Sequence, residues 1–103
     1  MKRIIVAAVL AASSLTIAPH VVEAAPTGCT ITNLVVNGRV NGAKSFCSGG
    51  SGWHRPYILC KYGDPIIESY SKTGVWARPG WGSLVYCDYL FHTQYAKAVQ
   101  TKN

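Results

Sequence analysis

Two short segments combine flat aromatic rings with positive charge, the combination in this chain most suited to binding. One is the tripeptide 53–55 and the other is the segment 76–81, in which an arginine lies between two tryptophans. Exposed rings next to cations can stack on sugars or meet an anionic polymer or headgroup. The sequence therefore predicts a binding surface made of Trp53, His54, Arg55, Arg78 and Trp81.

Both segments lie beside loop sequences, where side chains reach solvent and binding residues tend to be placed. Residues 48–52 form a Gly/Ser run, and Pro79-Gly80 interrupts the second segment. The alternative is that Trp76 and Trp81 fill the hydrophobic core, because a small domain needs its large side chains inside. His54 is expected at the surface, at the start of a strand.

A catalytic centre is not indicated. His54 and His92 with Asp64 and Asp88 form an inventory that most secreted chains contain by chance. The segment 49–53 lacks the last glycine of a nucleophile elbow, and the carboxylates after residue 24 are too few for a glycosidase pair. We expect a protein that is not an enzyme.

The four cysteines lie 18, 13 and 27 residues apart along the chain, and no Cys-x-x-Cys motif occurs. Zinc ligation needs more closely spaced pairs. We therefore expect no metal site, and no cofactor.

The N-terminus has the pattern of a secretory signal peptide. Lys2 and Arg3 precede an apolar run over residues 4–12, and Val22-Glu23-Ala24 offers small side chains at a cleavage site. The run is shorter than the ~18–20 residues of a membrane span, which argues against a transmembrane anchor. Cleavage after Ala25 and a lipoprotein anchored at Cys29 are weaker alternatives. The prediction is a signal peptide over residues 1–24 and a secreted domain over residues 25–103.

The secreted part is small and basic. It carries eight Lys/Arg against three Asp/Glu, once Lys2, Arg3 and Glu23 are removed. A chain of this size buries only about 60% of its unfolded surface, so the cysteines of an exported chain are expected to form two disulfides. Nucleic acid is a poor partner for an exported protein. We expect a monomer whose partner is an extracellular protein or an anionic envelope polymer.

The first two strands are predicted at residues 29–36 and 39–47, joined by an Asn37-Gly38 type I′ turn. Asn41-Gly42 interrupts the return strand as a bulge or a competing turn. Cys29 and Cys47 lie at equal distances from Gly38. They would then face each other at a Cα separation of ~4.5–5.5 Å, which a disulfide can bridge.

Further strands are predicted at residues 55–62, 66–71, 75–76 and 82–87. Cys60 and Cys87 lie symmetrically about Thr73 and Gly74, which predicts a second, long hairpin with these cysteines opposed. The rival pairing, Cys47 with Cys60 and Cys29 with Cys87, stays open. After Asp88 the chain either forms a short helix or extends the last strand, and residues 100–103 are expected to fray.

The spacing of glycines, aromatics and cysteines resembles a pattern in small four-cysteine secreted proteins of actinobacteria, of unknown function. The residues are Gly50-x-Gly52-x-x-Arg55-x4-Cys60 and Gly74-x-Trp76-x3-Gly80-x2-Ser83-x3-Cys87. The match extends from Cys29 to Cys87. The resemblance implies a compact disulfide-bonded β domain and no particular activity.

The sequence thus predicts a mainly β, antiparallel sheet or sandwich stapled by Cys29–Cys47 and Cys60–Cys87. The favoured function is an extracellular binding domain. A secreted inhibitor of an extracellular enzyme, or an antimicrobial protein, is the second hypothesis. A small hydrolase using His54 and His92 is the third.

Overall fold

The computed structural model describes residues 25–103, which form six β-strands. In chain order they are β1 (Thr27–Val36), β2 (Arg39–Gly49), β3 (Trp53–Tyr62), β4 (Glu68–Thr73), β5 (Gly82–Tyr86) and β6 (Thr93–Lys102). Within this range no helix is long and apolar enough to cross a membrane. The predicted signal peptide, residues 1–24, lies outside the described residues.

The strands form two antiparallel sheets, as predicted for the fold class. Sheet A has the order β1-β2-β5 and sheet B has the order β4-β3-β6. Alternate residues of β3 are buried, from His54 through Pro56 and Ile58 to Cys60, so these side chains point into the layer between the sheets. The residues between them point outward, which gives sheet B an outer face.

The first hairpin forms as predicted. Asn37 and Gly38 both have positive φ, 51° and 74°, as a type I′ turn requires. Cys29 lies directly opposite Cys47, and the two form a disulfide. Leu34 pairs with Gly42 and the next residue pairs with Val40, so Asn41 is the extra residue of a bulge.

The long hairpin predicted about Thr73 and Gly74 is wrong, although the disulfide it suggested is correct. β3 pairs with β4 across a turn at residues 63–67, with Tyr62 opposite Glu68. β5 instead joins β2 in sheet A. The Cys60–Cys87 bond therefore ties sheet B to the end of β5 rather than opposing strands of one hairpin.

Of the two alternatives left open after Asp88, the short helix does not form and the chain forms a separate strand, and the expectation of a frayed end at residues 100–103 is wrong. β6 pairs with β3 from Thr93 to Lys102, so Gln100 and Thr101 belong to a strand. A central strand such as β3 has backbone donors and acceptors on both edges, and β6 satisfies the edge that β4 leaves open. The turn at residues 88–92 separates β5 from β6.

The interior is small and unusually polar. The buried apolar residues in the described range are Ala43, Cys47, Ile58, Cys60, Val85 and Cys87. The buried polar residues are Asn41, Ser45, His54, Ser83, His92 and Gln94. No tryptophan is buried, so the alternative that Trp76 and Trp81 fill the core is wrong. With so little apolar volume inside, the disulfides and buried hydrogen bonds must supply much of the stability.

Candidate functional site

The register of β3 places Trp53 and Arg55 on the outer face of sheet B. A single bridge pairs His54 with Ala77, so the segment after β4 runs antiparallel to the start of β3. Residues on either side of a bridged pair share a face. Trp76 therefore lies beside Arg55, and Arg78 lies beside Trp53.

Cations stack on both rings. The guanidinium carbon of Arg55 is 4.2 Å from the centroid of the Trp76 ring, and that of Arg78 is 4.2 Å from the Trp53 ring. The ammonium of Lys102, on β6, is 4.5 Å from the Trp76 ring. These five residues, Trp53, Arg55, Trp76, Arg78 and Lys102, are called the cation–aromatic face below.

Hydrogen bonding orients the face. Arg55 Nε donates to Gln100 Oε1 at 2.8 Å, which leaves the other guanidinium N–H groups available. Gly52 lets the chain before β3 lie against the end of β6. It has a φ of +85°, and a Cβ at this position would lie 2.4 Å from the Lys102 carbonyl oxygen. The Gly/Ser run thus lets the chain approach the end of β6 closely before β3 begins.

The electrostatic environment of the face is positive. No ion pair joins Arg55, Arg78 or Lys102 to a carboxylate of residues 25–103. The three acidic side chains of this range lie elsewhere: Asp64 is in the turn after β3, Glu68 pairs with Tyr62 at the far end of β3, and Asp88 forms an ion pair with Lys72 at 2.7 Å. The cations of the face therefore form no ion pair with an acidic side chain of the described residues.

His54 is not part of this face. The prediction that His54 lies at the surface is wrong, because its exposure is 0%. Side chains alternate along β3, so His54 points inward while Trp53 and Arg55 point outward. The His54 side chain bridges the two sheets. His54 Nε2 donates to the Trp81 carbonyl oxygen at 2.8 Å, because a carbonyl only accepts; Nδ1 then accepts from Ser45 Oγ at 2.7 Å.

The Ser45–His54 contact has the distance of a nucleophile–base pair, but its surroundings do not suit a substrate. Ser45 and His54 are both fully buried between the sheets. The third partner is a backbone carbonyl rather than a carboxylate. In this geometry the pair holds the turn at residues 78–81 in place, together with the bond from Gly80 N–H to the Cys47 carbonyl at 2.8 Å.

Trp81 does not take part in these ring contacts. It is 72% exposed, and no cation–π contact joins its ring to a described residue. The structure thus brings together Trp53, Arg55 and Arg78 of the predicted surface, whereas His54 points inward and the Trp81 ring joins no contact of the face. Two members of the face were not predicted, Trp76 and Lys102. The spacing of Trp76 two residues before Arg78 was a usable signal, whereas Lys102 depends on the pairing of β6.

His92 is buried at the other end of sheet B. Its Nδ1 lies 2.5 Å from Tyr70 Oη, and Nε2 lies 3.9 Å from Glu68 Oε1. Tyr70 Oη also accepts the Asp88 N–H at 2.9 Å, so its own proton is directed to His92. Burial raises the pKa of Tyr70 above its ordinary value of 10.0, and the nearby carboxylates of Asp88 and Glu68 add to this effect.

Rings surround His92 on several sides. Its ring packs against Tyr62, Tyr89 and Phe91 at centroid distances of 4.7–5.5 Å. Asn41 Nδ2 binds the carbonyl oxygens of Tyr89 and His92 at 2.9 Å each, which fixes the turn that carries these rings. His92 is therefore a packed anchor of the turn, and within residues 25–103 no cluster of three His, Cys, Asp or Glu side chains could hold a metal ion.

Comparison with known proteins adds no relative to this picture. No protein-family model matches the chain, and no curated protein or solved structure matches it significantly.

Proposed function

We propose that the protein is a secreted binding domain that holds an anionic polymer of the cell envelope on its cation–aromatic face. The observation that carries the proposal is the pairing of Arg55 with Trp76 and of Arg78 with Trp53, with no carboxylate partner for either arginine among residues 25–103. Stacked guanidinium groups keep donors at their edges, and these donors can bind carboxylate or phosphate oxygens.

The arrangement of the cations suits a polymer better than a single ion. Arg55 lies one outward-facing position from Trp53, about 7 Å along the strand, and neighbouring chains are about 4.8 Å apart. Arg55 and Lys102 both lie on the Trp76 ring and Arg78 lies on the Trp53 ring, so the three cations are distributed over two indoles. Successive anionic groups of a chain could each meet one cation.

The disulfides support the extracellular part of the proposal. Cys29–Cys47 and Cys60–Cys87 leave no free cysteine in the described range, and such bonds persist in oxidising compartments. Together with the predicted signal peptide, they favour export. The buried Ser45–His54 contact, out of reach of a substrate, supports a binding role rather than a hydrolase.

A secreted inhibitor is the second candidate, and one feature favours it. The segment between β4 and β5 presents Val75 and Trp81, which are 75% and 72% exposed. This segment is held rigidly, since Ser83 Oγ donates to the Val75 carbonyl and His54 binds the Trp81 carbonyl. A fixed loop with exposed apolar side chains is the kind of element that can enter the cleft of another protein.

Binding to defined polyanions tests the proposal. The oxidised protein would be titrated with poly-glutamate and with polyphosphate at several salt concentrations. We expect binding that weakens as salt rises, because exposed charges are screened within ~8–10 Å at physiological ionic strength. Two exposed charge contacts of up to ~1 kcal/mol each correspond to a loss of up to about 30-fold in the Arg55→Gln/Arg78→Gln variant.

The matched control is Lys44→Gln/Lys97→Gln, which removes the same charge from exposed positions outside the face. It should bind nearly as well as the unchanged protein. Equal losses in both double variants would mean that net charge, not the face, governs binding. Undiminished binding by the Arg55→Gln/Arg78→Gln variant, or no binding to either polymer at low salt, would reject the proposal.

A further inference from the structure

A second concave site lies at the opposite end of β3 from the cation–aromatic face. The cleft has a volume of about 510 Å³, within the range of small-molecule sites. Its lining comes from both sheets and the turn after β3, and we call it the end cleft. The residues that matter here are Arg39, Lys61, Asp64, Tyr62, Ile66 and Phe91.

Charges of both signs line the end cleft without neutralising one another. Arg39 and Lys61 are cations, Asp64 is a carboxylate, and no ion pair joins any of the three to another described residue. Arg39 Nη1 donates to Thr93 Oγ1 at 3.0 Å, which fixes the guanidinium across the gap between the sheets. Its remaining N–H groups are left for a bound group.

The apolar part of the lining is exposed. Tyr62, Ile66 and Phe91 are exposed by roughly half, although large apolar side chains ordinarily gain by burial. Tyr62 and Phe91 are themselves packed edge to face, with ring centroids 5.0 Å apart. They therefore form a preformed aromatic wall beside the two cations.

We propose that the end cleft binds the C-terminal residue of a peptide with an aromatic or large apolar side chain. The terminal carboxylate is held by Arg39 and Lys61 through charge-assisted hydrogen bonds. The side chain covers the wall of Tyr62, Phe91 and Ile66, and the main-chain N–H of the bound residue is directed to Asp64.

Each feature of the lining selects for this class. A polyphosphate or a polycarboxylate would bring further negative charge next to Asp64 and would leave the aromatic wall uncovered. An apolar molecule without a carboxylate would cover the wall but leave Arg39 and Lys61 without an anionic partner. This site shares no residue with the cation–aromatic face, so the inference is independent of the proposed function.

Three small probes test the proposal on the full oxidised domain by ¹⁵N chemical-shift titration. N-acetyl-phenylalanine carries all the recognised groups, and its dissociation constant is expected on the order of 1 mM, as for a fragment of this size. N-acetyl-phenylalaninamide lacks the carboxylate and N-acetyl-alanine lacks the ring. Each of these two should bind at least about tenfold more weakly than N-acetyl-phenylalanine. Binding of N-acetyl-phenylalanine should shift the amide signals of Gly63 and Thr93 at the cleft.

Variants separate this site from the first. Arg39→Gln and Lys61→Gln should each weaken N-acetyl-phenylalanine, whereas Arg78→Gln should leave its affinity unchanged. Thermal unfolding identifies any variant that has lost its fold. If Arg39→Gln unfolds, Lys61→Gln still tests the site. Equal affinity for the acid and the amide, or shifts confined to residues outside the cleft, would overturn the proposal.

Discussion

The guanidinium carbon of Arg55 lies over the indole of Trp76 on the outer surface of sheet B, 4.2 Å from the ring centroid. Lys102 approaches the same ring at 4.5 Å from the neighbouring strand. The indole thus contacts cations from both β3 and β6. The ring attracts both cations, and each cation keeps N–H donors that can bind an external anion.

Replacing Arg55 by lysine or by glutamine should separate stacking from charge. Lysine keeps the charge but loses the planar stack, and glutamine loses both. We expect each variant to lose about 0.5–1 kcal/mol of unfolding free energy, the value of an exposed cation–π contact. Poly-glutamate binding should fall further in the glutamine variant. Urea denaturation and titration measure the two effects, and an Arg55→Gln variant that has lost its fold would show that Arg55 is structural.

His54→Ala should be far more damaging than any change on the face. It would leave Ser45 Oγ and the Trp81 carbonyl oxygen buried without partners, at about 1–3 kcal/mol each. Ser45→Ala leaves one buried atom, His54 Nδ1, without a partner, so it should cost less in total, about 1–3 kcal/mol. Denaturant unfolding of both variants provides the comparison. A His54→Ala protein as stable as the unchanged one would contradict a structural role.

Strand pairing from the Asn37-Gly38 turn could be predicted from the sequence, because the turn and the opposed cysteines depend only on local spacing. Symmetry about Thr73 and Gly74 also predicts the Cys60–Cys87 bond, but the hairpin on which that prediction depends does not form. The chain turns earlier, at residues 63–67, and β5 pairs with β2 in the other sheet. Symmetry about a turn cannot distinguish cysteines opposed in one hairpin from cysteines that face each other between layers.

The site was predictable only in part. Trp53, Arg55 and Arg78 share a face because of strand alternation, and the same alternation turns His54 inward. Period-two geometry alone could have excluded His54 from a surface that includes both its neighbours. Lys102 could not be found in this way, since its place beside Trp76 depends on the pairing of β6 with β3.

Peptide mapping of the exported protein without reduction should link Cys29 to Cys47 and Cys60 to Cys87. Mass spectrometry should also find no free thiol and a chain that begins at Ala25. A linked Cys47–Cys60 peptide would contradict the register of the first hairpin. Alkylatable cysteines or an intact N-terminus would contradict export to an oxidising compartment.

Tyr70 should titrate above the ordinary tyrosine value of 10.0, because burial raises its pKa. Below pH 10 the phenol is protonated in both folded and unfolded chains, so it makes no difference to stability there. Above pH 10 the unfolded chain releases this proton more readily, so the free energy of unfolding should fall as pH rises. Absorbance titration and unfolding at alkaline pH should show both effects, and Tyr70→Phe should remove them; a Tyr70→Phe variant with an unchanged alkaline loss of stability would contradict this assignment.

The most direct test of the cation–aromatic face uses the indole N–H resonances of the tryptophans, assigned with Trp→Phe variants, during titration with poly-glutamate at low salt. Trp53 and Trp76 belong to the face, whereas Trp81 is exposed but lies outside it. We predict that the Trp53 and Trp76 signals shift together and return as salt is added, while the Trp81 signal does not move. A shift of Trp81 alone, or equal shifts of all the indoles, would contradict it.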